Sequence, residues 1–271
     1  MADQTPQDIA TRRVLYTMPG IDEVTIRRDV EYQGGGDGAL TMDLYYPPRS
    51  GDGRAHAAVV FVTGFPDPGA RKVLGRPAKD MGSYVSWAQL VAASGIVGVT
   101  YVNRQPADVA AVFEHLIQHA AALAIDPGRI GVWSCSGSGP MGLSVLMRTG
   151  APALKCGALV YPYTLDLDGS TGVAAAAKQW GFVEACAGKS VADLPPGRAI
   201  FVARAGQDEM PGLTEALDRF VCAALTRNLP ITVVNHATGP HGFDIFEDSD
   251  AARNVVGQIL AFFRFQLRQG D

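Results

Sequence analysis

The chain has 271 residues, of which 47% are hydrophobic and 18% are charged, with a formal net charge of −4 and an isoelectric point of about 5.7. This length and composition predict one globular α/β domain over residues 1–271 and exclude a disordered chain. The weakly negative charge does not favour binding to nucleic acid or to an anionic membrane, and no apolar run is long enough to predict a transmembrane helix.

The cellular compartment is inferred from the cysteines and the first residues. The four cysteines stand far apart and include no Cys-x-x-Cys pair, so neither a zinc site nor a disulfide scaffold is expected. The first ten residues are polar and acidic and lack the apolar core of a signal peptide. We therefore expect a reduced, cytoplasmic protein.

The chain begins with an expected N-terminal arm, residues 1–20, followed by a predicted hairpin. Apolar residues alternate over 23–32 and over 40–46, and a glycine-rich turn joins the two segments. From residue 57 the pattern changes to continuously apolar runs, which are typical of strands covered on both faces. These runs are 57–62, 96–102, 130–133, 158–161, 199–203 and 231–234.

Helical segments alternate with these strands. They cover residues 83–93, 106–122, 137–148, 212–227 and 249–269. Strands that alternate with helices predict a mostly parallel sheet, here of about eight strands, with helices on both faces. Residues 166–196 are the longest stretch that does not fit the alternation, and their short helical patterns make them a candidate for a small lid.

Residues 129–140 run from a strand through small residues into a helix, with Ser136 at the turn. This is the layout of a nucleophile elbow, in which the positions two before and two after the nucleophile must be small. Ser134 and Ser138 stand there, where glycines are usual. Such a cluster on its own is typical of an ordinary loop. The flanking strand and helix, together with an acid and a histidine further along the chain, favour the elbow.

Three side chains compete for the nucleophile's position. With Cys135 at the turn, Trp133 would fill one of the cramped positions and its indole would clash. With Ser138 at the turn, Pro140 would fill the cramped position two residues after the nucleophile, and the turn would lie beyond the end of the strand. Ser136 leaves only hydroxymethyl groups at both positions. Ser136 is therefore the predicted nucleophile, and Cys135 is expected to be a small buried residue.

A serine nucleophile needs an adjacent base, which is normally a histidine. His241 lies in a glycine-rich loop after the last strand and is the predicted base, whereas His236 is closer to the strand and is expected to be structural. His115 and His119 lie four residues apart on the polar face of one helix without a third ligand nearby, so no metal site is expected. His56 precedes the third strand in a polar loop.

The third member must be an acid that orients the imidazole. Asp208 follows the strand that ends near residue 203, and loops at that end of a parallel sheet surround the active crevice. Glu209 takes this role if the loop is offset by one residue. Asp166 and Asp168, after the preceding strand, are further candidates.

Acyl transfer also needs N–H donors aimed at the developing oxyanion. The N–H of Gly137, directly after Ser136, is one candidate. The loop after residue 62 supplies the other, the N–H of Phe65, because the preceding glycine permits close backbone approach. Arg71 and Arg76 follow in the same loop, and one of them is a candidate to pair with a substrate carboxylate. The alternative is that both face solvent.

Taken together, these segments resemble the α/β-hydrolases, and among them the dienelactone hydrolase-like branch of small serine esterases. The matching segments are 40–47, 59–64, 125–130, the Ser136 elbow, 206–208 and 241–243, in the order nucleophile, acid and histidine. The chain departs from the family in its elbow serines and in Thr63, which replaces a common histidine. It also has Ser136 where true dienelactone hydrolases have cysteine, which favours general carboxylic esters.

The resemblance implies an α/β-hydrolase fold with little or no cap. It implies hydrolysis of a small-molecule carboxylic ester through an acyl-enzyme, without a metal or an organic cofactor; a homodimer is compatible with it. A peptidase or an acyltransferase could share the same triad, because the fold does not determine the substrate. The contrasting class is a catalytically silent member that acts as a ligand receptor or scaffold.

Overall fold

A computed structural model of the protein describes residues 5–35, 38–48, 50, 53–149 and 154–268. Over these residues the chain forms eight strands and nine α-helices. The strands are β1 Thr25–Gln33, β2 Leu40–Tyr46, β3 His56–Phe61, β4 Val97–Tyr101, β5 Ile125–Cys135, β6 Leu154–Val160, β7 Ala199–Gln207 and β8 Ile231–Pro240. The helices are α1 Pro6–Thr11, α2 Asp67–Leu74, α3 Gly82–Ala93, α4 Val109–Gln118, α5 Gly139–Leu146, α6 Gly172–Trp180, α7 Leu213–Thr226, α8 Phe243–Phe246 and α9 Asp250–Gln266.

The eight strands form one sheet in the order β1-β2-β4-β3-β5-β6-β7-β8. β2 pairs antiparallel with both β1 and β4, and all the other pairs are parallel. The predicted eight-stranded, mostly parallel sheet is therefore confirmed. No helix among the described residues is long and apolar enough to cross a bilayer.

Helices cover both faces of the sheet, and each face has its own core. Along β3, Val60 packs into the core that α4, α5 and α7 share, whereas Val59 and Phe61 pack into the core shared with α3 and α9. On this second face Trp87 of α3 lies 5.4 Å from the ring of Trp133 on β5. Successive side chains of a strand point to opposite faces, so burial on both sides produces the continuously apolar runs seen in the sequence.

The elements differ in extent from the sequence prediction. The predicted helix over 106–122 is a 3₁₀ turn, Pro106–Asp108, followed by α4, and the helix after the elbow begins with the 3₁₀ turn Ser136–Ser138. β5 is longer than predicted because it includes residues 125–129. Residues 1–4 of the predicted arm and residue 269 of the last helix lie outside the described residues.

The described part of the N-terminal arm is packed against the domain. Thr5 caps α1 through a reciprocal pair of hydrogen bonds with Asp8. Gln7 donates a hydrogen bond to the carbonyl oxygen of Val73 on α2, at 2.9 Å. The N–H of Leu15 donates to the carbonyl oxygen of Asp244 on α8, at 2.8 Å. These contacts place α1 over α2, next to the carboxyl ends of the parallel strands.

Candidate active site

The predicted functional residues meet at the carboxyl ends of the parallel strands. Ser136 directly follows β5, Asp208 follows β7 and His241 follows β8. Parallel strands end on the same edge of a sheet, so residues distant in sequence converge there. The register of β7 and β8 carries both loops to the same level, because Gln207 pairs with Pro240 at the end of the ladder.

Ser136 adopts a strained backbone conformation, with φ at +51°. This is the left-handed region that residues other than glycine rarely adopt. Cys135 before it is extended, with φ −136° and ψ 157°, and Ser138 after it is already helical. Such a sharp strand-to-helix turn is the conformation of a nucleophile elbow. Of the three candidate registers, the structure gives the strained position to Ser136.

The two serines in glycine positions are accommodated in different ways. Ser134 is fully buried and faces Gly142 of α5, where a Cβ would stand 2.2 Å from the Ser134 Oγ. The hydroxymethyl group therefore fits because the opposing helix residue has no side chain. Ser138 Oγ accepts a hydrogen bond from the N–H of Gly64 at 3.0 Å and lies 3.4 Å from the hydroxyl oxygen of Tyr84. Its hydroxyl thus joins the elbow to the loop after β3.

Ser136, His241 and Asp208 form a continuous chain of contacts. His241 Nε2 lies 2.9 Å from Ser136 Oγ, and His241 Nδ1 lies 2.7 Å from Asp208 Oδ2. The second carboxylate oxygen of Asp208 accepts the N–H of Met210 at 2.9 Å, and the side chain of Asp208 is fully buried. A carboxylate beside Nδ1 favours the tautomer whose lone pair on Nε2 faces the serine hydroxyl. The arrangement can move a proton from Ser136 to His241.

The competing candidates lie elsewhere. Glu209 and Asp168 are exposed. The carboxylate oxygens of Asp166 accept the first N–H groups of α6, so this residue caps a helix. His236 is buried beside Glu247, with 3.1 Å between its Nε2 and the Glu247 Oε2. None of these four residues contacts Ser136.

Cys135 and the histidine pair of α4 do not form a second reactive site. Burial raises the pKa of the Cys135 thiol, with a further contribution from nearby Asp244. Cys135 is half-buried and lines the cavity beside Ser136, and the raised pKa disfavours the thiolate, which is the reactive form of a cysteine. The rings of His115 and His119 stack 4.3 Å apart, and the described part of the chain contains no group of three side chains that could hold a metal.

The predicted oxyanion donors lie where the loop after β3 meets the elbow. A Cβ at Gly64 would stand 2.6 Å from the carbonyl oxygen of Gly137, so only glycine lets the two loops approach. Gly137 is buried against Phe182 and Phe65. The N–H of Phe65 donates to Thr63 Oγ1 at 3.2 Å, so this predicted donor already has an acceptor. Thr63, which replaces the usual histidine, therefore stabilises the loop.

A buried pair that the sequence analysis missed holds this loop in place. Asp67 Oδ2 accepts the N–H of Asn103 at 2.8 Å, and Asn103 Oδ1 accepts the N–H of Asp67 at 3.1 Å. Asn103 Nδ2 also donates to the carbonyl oxygen of Phe65 at 3.2 Å. Burial raises the pKa of Asp67, and the N–H donors oppose this effect. The available sequence signal was an aspartate at the start of a helix and an asparagine just after a strand.

A cavity of about 420 Å³ opens beside Ser136 and His241, which is the size of a small-molecule site. Its walls are mostly apolar and come from loops and from five helices, of which α3 contributes Tyr84. α1 contributes Ile9, α2 contributes Val73 and Leu74, α6 contributes Trp180, and α8 contributes Ile245 and Phe246. Val73 and Trp180 are also exposed to solvent, so they lie at the mouth of the cavity.

Neither Arg71 nor Arg76 lies on the wall of this cavity. Arg71 is exposed on α2, and Arg76 donates to the carbonyl oxygen of Asp80 at 3.4 Å. No lysine or arginine is found among the described residues that line the cavity. This placement favours the alternative given by the sequence, in which the charges of this loop face solvent and not a substrate carboxylate. Charge along the loop did not reveal which side chains turn towards the cavity.

The predicted lid, residues 166–196, is packed against the loop after β3, which carries the predicted oxyanion donor Phe65. The N–H of Val183 donates to the carbonyl oxygen of Gly64 at 2.9 Å. The ring of Phe182 lies 6.0 Å from that of Phe65 and 5.1 Å from that of Tyr163. This segment forms one side of the site through α6 and the residues that follow it.

Comparison with models of protein families gave no match, and comparison with curated protein sequences gave none either. Several solved structures are similar. A bacterial heroin esterase has a TM-score of 0.67 and 16% identity, over 94% of this chain and 88% of that one. An esterase from Thermogutta terrifontis has a TM-score of 0.66 and 17% identity, over 93% and 97% of the two chains. An esterase from Pyrobaculum calidifontis has a TM-score of 0.61 and 19% identity, over 89% and 85%.

This likeness shows that the fold is the predicted α/β-hydrolase fold. The dienelactone hydrolase-like branch stays a prediction.

The contact between Ser134 and Gly142 can be tested by stability measurements. We expect Gly142→Ala to lower the free energy of unfolding by about 1–3 kcal/mol, because the new methyl group overlaps the Ser134 Oγ. Alanine normally favours a helix over glycine, so a loss of stability identifies the overlap. Adding Ser134→Gly should recover most of the loss. Urea unfolding of the unaltered protein, the two single variants and the double variant completes the double-mutant cycle. An equal loss of stability in Gly142→Ala and in the double variant would contradict this explanation.

Proposed function

We propose that the protein is a serine hydrolase that cleaves carboxylic esters through an acyl-enzyme intermediate. The observation that carries the proposal is the chain of contacts from the strained Ser136 through His241 to the buried Asp208. These contacts lie at the edge of the sheet where this fold places its active sites. The similar solved structures described above are esterases, which supports the same reaction class.

In the proposed reaction, His241 Nε2 takes the proton of Ser136 while Oγ forms a bond to the ester carbonyl carbon. Asp208 holds the Nδ1–H and stabilises the imidazolium that results. The tetrahedral intermediate then collapses, the bond to the alcohol breaks, and the leaving oxygen receives the proton from His241. Water repeats the same steps on the acyl-enzyme and releases the acid.

We assign the oxyanion to the N–H groups of Gly137 and Phe65. The Phe65 N–H donates to Thr63 Oγ1, so it must exchange this neutral acceptor for the oxyanion. Hydrogen bonds to charged acceptors are stronger, which favours this exchange. The Asp67–Asn103 pair holds the carbonyl group of Phe65, which follows the N–H that changes partner.

We further propose that the substrates are neutral esters with an apolar group that fills the cavity. The walls are apolar and no lysine or arginine is among the described residues that form them, so a charged group would lose hydration without gaining a partner. Structures of the Thermogutta terrifontis esterase have been determined with propionate and with butyrate bound. Residues 166–196 act in this proposal as a fixed wall, since Phe182 and Val183 are tied to the oxyanion loop.

Replacement of the nucleophile tests the reaction. We expect Ser136→Ala to lower kcat for p-nitrophenyl butyrate by about 10⁴-fold or more, because the triad acts as a unit. It should also abolish covalent labelling by a serine-directed phosphonate, as measured by mass spectrometry. Cys135→Ala should keep most of the activity and the labelling. Activity lost in Cys135→Ala but kept in Ser136→Ala would assign the nucleophile to the thiol.

The acid can be tested with two neighbouring carboxylates. We expect Asp208→Asn to lower kcat by about 10⁴-fold, since an amide no longer favours the required tautomer of His241. Glu209→Gln is the matched control, because it makes the same chemical change on an exposed side chain. Steady-state kinetics on both variants measure the difference. A larger loss in Glu209→Gln would show that the loop acts with the adjacent residue.

Substrate length and charge test the role of the cavity. We expect kcat/KM to rise by up to about fourfold for each methylene added to a neutral acyl chain, until the cavity is filled. A hemi-ester of a dicarboxylic acid of equal length should be a poorer substrate. Trp180→Ala should raise KM for the longer esters more than for acetate, whereas Arg71→Ala should change neither. A preference for the acidic ester that is lost in Arg71→Ala would contradict the proposal.

A further inference from the structure

The loop that carries His241 is connected to a neighbouring tyrosine through a closed set of contacts. Tyr161 directly follows β6, and its ring lies 4.8 Å from the imidazole of His241. The Tyr161 hydroxyl donates to Asp244 Oδ1 at 2.6 Å. Asp244 stands three residues after His241, in α8. His241, Asp244 and Tyr161 are thus joined by the chain, a hydrogen bond and a ring contact.

Asp244 is buried without a cationic partner. It is 2% exposed, and no lysine or arginine among the described residues forms an ion pair with it. Trp87 Nε1 donates to its Oδ2 at 2.7 Å, so each carboxylate oxygen has one neutral donor. Burial raises the pKa of Asp244, and the hydrogen bonds from Tyr161 and Trp87 oppose this effect. An apolar residue would usually occupy such a position at lower cost, so stability alone does not explain the aspartate.

Tyr161 also has an unusual backbone, with φ at +37°. Its N–H donates to the carbonyl oxygen of Ala203 at 2.7 Å, and the N–H of Tyr163 donates to the carbonyl oxygen of Ser136 at 3.0 Å. The same short segment therefore touches the elbow through its backbone and His241 through its ring. Strained residues that the surrounding structure holds in place are concentrated at functional sites.

We propose that Tyr161 is a positioning residue whose ring, anchored by Asp244, sets the tilt of the His241 imidazole between Ser136 and Asp208. The proposal rests on the proposed function. The two hydrogen bonds of His241 act at the edge of its ring and constrain the tilt of the ring plane least. The packing of the Tyr161 ring against the imidazole, with an angle of 59° between the two ring planes, supplies that constraint. A misplacement of about 1 Å can lower a rate by about 10²-fold.

Two variants separate positioning from stability, because each removes one donor from Asp244. Tyr161→Phe breaks the anchor and keeps the ring that lines the cavity. Trp87→Phe breaks the other hydrogen bond and opens a gap in the core, at a residue that does not line the cavity. We expect Tyr161→Phe to lower kcat by about tenfold or more with KM little changed. Trp87→Phe should lower Tm more and leave the kcat of the folded enzyme unchanged. An equal loss of kcat in Tyr161→Phe and Trp87→Phe, or no loss of kcat in Tyr161→Phe, would overturn the proposal.

The chemistry at position 244 gives a second comparison. The amide of Asp244→Asn can accept from Trp87 and donate to the Tyr161 hydroxyl, so it preserves the anchor without the charge. Asp244→Leu removes both hydrogen bonds. We expect kcat in Asp244→Asn to exceed that in Asp244→Leu by about tenfold. If Asp244→Asn and Asp244→Leu both fold and have the same low kcat, the negative charge of Asp244 is required and the position of the Tyr161 ring is not.

A spectroscopic measurement tests the proposal without any substrate. The His241 Nδ1–H that faces Asp208 can be followed by NMR in histidine labelled with ¹⁵N, and assigned by its loss in His241→Gln. We expect this resonance to broaden or to exchange faster with water in Tyr161→Phe and to stay as in the unaltered protein in Trp87→Phe. If the resonance differs in this way between the two variants but the unaltered protein has no esterase activity, the proposed function is overturned and the positioning role is kept. An active enzyme whose resonance is the same in both variants would overturn the positioning role.

Discussion

The strained turn at Ser136 is the constraint on which the rest of the site depends. A positive φ at a residue with a side chain persists only where the neighbouring structure holds it. Here Gly64 lets the β3 loop touch the elbow, and a Cβ at Gly139 would stand 2.0 Å from the carbonyl oxygen of Tyr163. Close backbone approach on both sides holds the turn, and the small residues of this region are required by that approach.

Close backbone approach also occurs between the last two strands, which carry the acid and the histidine at their ends. A Cβ at Gly206 would stand 2.4 Å from the carbonyl oxygen of Ala237, so only glycine permits the close approach of β7 and β8 where their pairing shifts register before the two loops. Asp208 then reaches His241 from a fully buried position. The helices that pack around this edge, α1, α2, α3, α6 and α8, leave the apolar cavity beside the serine. Strand ends thus supply the polar groups, and helices supply the apolar surface.

The contacts that support the proposed mechanism were harder to predict than the three central residues. Asp67 and Asn103 are 36 positions apart, and Tyr161 and Asp244 are 83 apart. No local pattern marks such pairs, because each residue has an ordinary loop or helix position in the sequence. For the same reason the sequence left two interpretations open for Arg71 and Arg76. The charge of a loop does not reveal which of its side chains turn inward, and here apolar residues of α2 do so.

The sequence by itself determined the order of strands and helices, the mostly parallel sheet and the three loops whose polar residues meet, since hydrophobic periodicity and small turn residues are local signals. The tertiary structure decided which of several neighbouring acids and histidines meet Ser136, which atoms the Phe65 N–H and the Asp244 carboxylate contact, and that the cavity is apolar. These features depend on distances between residues from different elements. Only packing determines them, because the hydrogen bonds and the cavity walls form between segments that are far apart along the chain.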